Sequence, residues 1–210
     1  TGEGGAVRID VDEFASRRSS VQISSCIFFN NSAVIGGGIA VRSLYRSELI
    51  VNGSRFVENF AEQEDGFSFG GAVSIVDTFN CVFRVERSVF ASNVAGSRGG
   101  AVGVAYSSGK FRFITSNFSQ NVAVDGGAVS VVSVSDAGRA IIFRHNNFRN
   151  NRATRSGNGG AVYASDVRVP LRMINSAFHR NEAGSGAAID GVSLRSVDAV
   201  RCMFSRNRAV

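Results

Sequence analysis

Apolar and polar positions follow a short pattern that returns about every thirty residues along the chain. A Phe is followed three places later by Asn and two further on by Ala at Phe28/Asn31/Ala33, Phe56/Asn59/Ala61, Phe90/Asn93/Ala95 and Phe118/Asn121/Ala123. The same triplet recurs at Phe148/Asn151/Ala153, Phe178/Asn181/Ala183 and Phe204/Asn207/Ala209. Successive Asn residues are 28, 34, 28, 30, 30 and 26 positions apart, so the unit is constant and the variation falls in loops. Seven and five places before each Phe the chain is again mostly apolar: Val21/Ile23, Leu49/Val51, Phe83/Val85, Phe111/Phe113, Ile141/Phe143, Leu171/Met173 and Val197/Ala199. Alternation at period two predicts a half-buried strand entering each Phe. Two places before the Phe stands a small or polar residue, namely Cys26, Ser54, Ser88, Ser116, Asn146, Ser176 or Cys202.

A second motif of small residues opens the other half of each unit: Gly4-Gly5-Ala6-Val7, Gly70-Gly71-Ala72-Val73, Gly99-Gly100-Ala101-Val102, Gly126-Gly127-Ala128-Val129 and Gly159-Gly160-Ala161-Val162. Gly36-Gly37-Gly38-Ile39 and Gly186-Ala187-Ala188-Ile189 are variants of it. Glycine reaches positive φ and lacks Cβ, so such a corner turns tightly beneath its copy in the next unit. A short strand such as Val73-Ser74-Ile75-Val76 follows. A unit of two or three short strands, with no helical period and no hairpin turn signal, buries its apolar face only by stacking on copies of itself.

The expected fold is therefore all-β: a right-handed, single-stranded parallel β-helix of about seven coils, with Phe over Phe inside and Asn linking neighbouring coils. Leucine-rich repeats lack support because no Leu-x-x-Leu-x-Leu run exists; a propeller needs hairpins, and a helical array does not tolerate a glycine pair in every unit. Residues 1–210 read as one β-helix segment of a longer repeat protein, with further coils or another chain expected at both ends. Open solenoid ends otherwise expose strand edges.

Composition refines this picture. The 24 Gly beside a single Pro, 17 Phe and no Trp follow from one pattern written repeatedly. The formal charge of +6 is arginine-based, since Lys110 is the only lysine. Such a surface attracts phosphates, sulfated sugars or acidic membranes, and a GC-rich codon bias accounts for the same residues. Three cysteines without a Cys-x-x-Cys pair fit neither a disulfide scaffold nor a zinc site. Cys26 and Cys202 replace serine in one column about six rungs, or roughly 29 Å, apart, beyond disulfide reach. Cys81, at a strand start, reads as another structural thiol.

The paired Gly-Gly-Ala-(Ile/Val) and Phe-x-x-Asn motifs, alternating over the whole chain, resemble the repeats of the chlamydial polymorphic outer-membrane protein family. That resemblance implies a right-handed β-helical passenger at a cell surface, serving adhesion or scaffolding, without cofactor. Its motif residues map onto the seven Phe/Asn pairs, which are fold-forming, so no binding site carries over. The family's signal peptide and C-terminal barrel do not lie within these residues, and any membrane attachment is expected through parts outside them.

Catalysis is not expected. Parallel β-helices include polysaccharide lyases and hydrolases, which need facing carboxylates. Here Asp65, Asp77, Asp125, Asp136, Asp166, Asp190 and Asp198 fall in different repeat columns. His145 and His179 sit three before and one after their Phe, and so are read as solvent-facing rather than as a ligand pair. No nucleophile elbow or phosphate loop is present. Function is expected in an extracellular or cell-surface module that interacts through its variable surface with a glycan or protein, and not with nucleic acid; a rigid spacer and a carbohydrate-active enzyme are the alternatives. The candidate edge for an anionic partner is Arg149, Arg152, Arg180, Arg206 and Arg208 in the last three coils. A solvated edge that discourages strand pairing explains the same residues. Asn30, Asn52 and Asn117 head Asn-x-Ser sequons and are candidate N-glycosylation acceptors.

Overall fold

A computed structural model describes residues 2–10, 19–62, 68–135, 140–154 and 156–210. Among them every regular element is a strand, every pairing is parallel, and no helix is long and apolar enough to cross a membrane. Six of the seven coils contribute four strands rather than the two or three expected, and the fourth contributes three because its first two are fused. In the second coil they are Ile39–Arg42, Glu48–Asn52, Arg55–Val57 and Phe60–Ala61. We call their stacks the corner, approach, Phe and Ala sheets. The extra strand is the pair of residues around each Ala, too short to show a period in sequence yet stacked on its copy in the next coil.

The Phe and Ala sheets each hold seven strands. The corner and approach sheets are joined into one of 13 because Val102–Ile114 runs unbroken through both. Seven rungs enclose about six turns, slightly fewer than the seven coils counted from motif copies, since seven stacked rungs have six intervals. The path is a β-solenoid.

Three interactions hold the rungs together. First, the motif Phe residues form one stack with ring centroids 4.6–4.9 Å apart and planes within 8° of parallel. Phe56, Phe90, Phe118, Phe148 and Phe178 are fully buried. Burying each contributes roughly 1.5–3 kcal/mol. Phe113 and Phe143, from the approach strands, meet this stack edge-on at 6.1 and 5.8 Å.

Second, the Asn residues form a ladder in which all polar atoms of an interior side chain are satisfied. Asn93 Oδ1 accepts from the backbone N–H and Nδ2 of Asn59, at 3.0 and 2.9 Å. Its own Nδ2 donates to Phe56 O and to Asn121 Oδ1, both at 3.0 Å. The same four bonds recur at Asn121 and Asn151. A lesser ladder runs through the column two before Phe, where Ser54 N–H donates to Ser88 Oγ and Ser88 N–H to Ser116 Oγ, each at 3.2 Å. Cys26 and Cys202 take the two ends of that column, each with its thiol directed at the carbonyl two residues back.

Third, the corners require glycine for two distinct reasons. The first Gly of each pair is left-handed, as at Gly99 with φ of 68°. The second has ordinary φ, but a Cβ on Gly100 would lie 2.2 Å from Gly127 O in the next coil. The remaining bends were not visible as a motif. Single residues of any type take positive φ there: Asn30, Glu58, Ser92, Gln120, Asn150, Arg180 and Arg206 between the Phe and Ala sheets, and Ser43, Asp77, Tyr106, Ser133, Asp166 and Ser193 between the corner and approach sheets. Only the side-chain-free backbone matters at these bends, because their side chains point away from the core.

Replacing Asn121 by Ala orphans the buried Asn93 N–H and Nδ2, and is expected to cost about 4 kcal/mol in chemical denaturation. Asn207→Ala, at the half-exposed last rung where water substitutes, should cost less than half of that. Gly100→Ala should destabilise by roughly 3 kcal/mol or more, whereas Ala187→Gly should change stability by less than about 1 kcal/mol.

Candidate anion-binding surface

The five arginines of the expected edge are all exposed and lie on the outer side of the Phe and Ala sheets, in three columns rather than one. Arg149 follows Phe148 and is in register with His179 and then Ser205. Arg180 and Arg206 occupy the same left-handed bend on successive rungs, φ 52° and 55°. Arg152 and Arg208 share a column, but Glu182 stands between them in register. The densest cationic point is therefore the group Arg149, Arg180 and Arg206 around His179. Partial burial and then these three guanidiniums lower the His179 pKa from its ordinary 6.5. Its Nδ1 lies 2.8 Å from Ser205 Oγ. His145 is exposed at the left-handed bend between the approach and Phe strands, φ 56°, the column also held by Thr115 and Asn175.

The three sequons differ in access. Asn30 and Asn117 are exposed, Asn30 at a bend and Asn117 on the outer face of the Phe sheet. Asn52 is half-buried, its Oδ1 accepts from Arg87 Nε at 3.2 Å and Nη2 at 3.0 Å, and the sequon serine Ser54 is buried in the ladder. The cysteines are unpaired. Burial raises the pKa of Cys81, whose thiol points at Leu44 O and Phe79 O.

The carboxylates are dispersed. Asp77 and Asp166 share a bend column but stand three rungs apart, about 14 Å. Asp125 Oδ1 accepts from Asn158 N–H at 2.9 Å, and Asp198 pairs with Arg172 at 3.1 Å. Asp190 belongs to the last corner strand. Asp65 and Asp136 lie outside the described residues. Among the described residues no three His, Cys, Asp or Glu side chains are grouped so as to hold a metal ion.

One cationic cluster escaped the sequence reading. Lys110, Arg112, Arg172 and Arg195 surround a shallow concavity of about 390 Å³ on the outer face of the approach sheet, floored by Ala140, Ile142 and Pro170. Its members come from three coils and are far apart in sequence. Only the register of the strands, which fixes which outward positions are neighbours, brings them together.

The chain is thus a parallel β-solenoid repeat protein with a basic, shallow-featured surface. Residues 147–165 match the model of the Chlamydia polymorphic membrane protein (Chlamydia_PMP) repeat. That window contains Phe148, Asn151 and Ala153 together with the Gly159-Gly160-Ala161-Val162 corner, the two motifs that carry the resemblance along the rest of the chain. No curated protein and no solved structure matches the chain.

In native conditions a maleimide should modify Cys26 readily while Cys81 stays protected until denaturant is added, as read by mass spectrometry. His179, with its folded-state pKa depressed, binds a proton less readily than in the unfolded chain, so it contributes stability above pH ~6.5 that is lost as pH falls below that value. The drop in unfolding midpoint on acidification is expected to shrink in His179→Gln.

Proposed function

We propose that this chain is a non-catalytic structural and interaction module of an extracellular, cell-surface protein, adhesin-like or part of a surface appendage. The observation that carries the reading is the division of labour between columns. The Phe, Asn, Ala and Gly motifs are consumed internally by stacking, laddering and close approach, which leaves the outward columns free to vary in chemistry. The match to a polymorphic membrane protein repeat supports placement at a cell surface. The dispersed carboxylates favour binding over hydrolysis. The basic group Arg149, Arg180 and Arg206 is a contact point for an acidic partner, with Arg152 and Arg208 flanking it.

Two measurements test the leading reading. Protease added to intact cells of the source organism should cleave the protein without lysis. Beads coated with the purified chain should bind cells saturably, with competition by soluble chain. Cleavage only after lysis would overturn the surface location. Release of new reducing ends from a polysaccharide panel would replace the binding role with the enzymatic one.

A further inference from the structure

The outer face of the approach sheet carries cations that no part of the fold uses. Arg112, Ile142 and Arg172 stand in register on three successive rungs, with Asp198 on the fourth. Lys110 and Pro170 each stand two places before the arginine on their own strand, and the small Ala140 leads into the strand between them. Ala140, Ile142 and Pro170 thereby leave the 390 Å³ concavity with Lys110, Arg112, Arg172 and Arg195 on its rim. On this face Arg84 is neutralised by Glu86 at 2.9 Å and Arg172 by Asp198 at 3.1 Å. Lys110, Arg112 and Arg195 have no carboxylate partner among the described residues.

We infer that this concavity binds a sulfated glycan chain lying along the solenoid axis. The inference rests on the reading of the chain as a surface interaction module and gives that module a second face and a ligand class. Lys110 and Arg112 share one rung, Arg172 lies two rungs on at about 10 Å and Arg195 three rungs on at about 14 Å, so a polymer extended along the axis meets these cations in turn. Three uncompensated cations within about 14 Å exceed what a chain with one carboxylate on every second sugar neutralises. Sulfates supply the missing density, and each accepts charge-assisted hydrogen bonds from guanidinium or ammonium. The floor is apolar and non-aromatic. It accepts the C–H face of a sugar ring but offers no ring on which a nucleic-acid base stacks. The open, shallow form suits a long chain rather than an enclosed small molecule.

Calorimetric titration of the folded chain with heparin oligosaccharide, hyaluronan oligosaccharide of equal length, polyglutamate and a single-stranded oligonucleotide tests this. Heparin should bind at moderate ionic strength and the other three markedly less. The triple variant Lys110→Gln/Arg112→Gln/Arg195→Gln should weaken heparin about tenfold or more, against less than about twofold for the charge-matched Arg46→Gln/Arg55→Gln/Arg201→Gln at exposed positions outside both basic groups. Asp198→Asn, which frees Arg172, should tighten binding about threefold. Since Lys110 is the only lysine, protection of its amine from an acylating reagent by heparin reports occupancy without any substitution. Equal losses in the two triple variants would reduce the effect to diffuse charge. Equal binding of hyaluronan, polyglutamate or oligonucleotide would overturn the ligand class, and unprotected Lys110 would overturn the location. If heparin fails while coated beads still bind cells, the inference falls and the interaction role stands.

Discussion

The buried asparagine ladder sets the geometry on which the rest of the molecule depends. An asparagine side chain in the interior is costly unless all its hydrogen bonds are made. Here that happens only if the next coil presents its own asparagine one rung away and the preceding coil presents a phenylalanine carbonyl. A slip of one residue between coils would break several such bonds at once and turn the strands inside out. The ladder therefore fixes register. With register fixed, the phenylalanine rings stack at a near-constant 4.6–4.9 Å, and the second glycine of each corner passes within van der Waals contact of the carbonyl below.

Much of this was legible in the sequence because the ladder, the stack and the corner each demand one residue type. No other side chain reproduces the asparagine's paired donors and acceptors, and nothing larger than glycine fits at Gly100. Positions that constrain only the backbone left no such trace. The left-handed bends are held by Glu58, Ser92, Gln120 or Arg180 alike, since the bend faces solvent and any side chain escapes outward. The two-residue strands at the alanines were equally hidden, being too short to alternate. Gly186-Ala187-Ala188 is the corner that departs from the rule, and it is the last corner of the stack, with no copy beyond it among the described residues.

Surface chemistry was less legible than architecture for a related reason. Arg149, Arg180 and Arg206 were recognisable as a basic edge because they lie near the motif in sequence, and the same alignment sets Glu182, directly after Asn181, between Arg152 and Arg208, as the strand register bears out. The cluster of Lys110, Arg112, Arg172 and Arg195 spans four coils with loops of different length between them. Loop length carries only a slowly growing entropic penalty in a solenoid as long as the rungs align, so sequence distance and spatial distance are decoupled on every outward face.

Each coil touches only the coil before and the coil after. Under tension applied through the two ends, the rungs need not fail together: a terminal coil can peel while its neighbours keep their ladder and stack. A coil of about thirty residues releases roughly 100 Å of contour when drawn straight. A protein built this way lengthens in discrete increments under load instead of rupturing in one event, and it re-zips coil by coil when the load is removed.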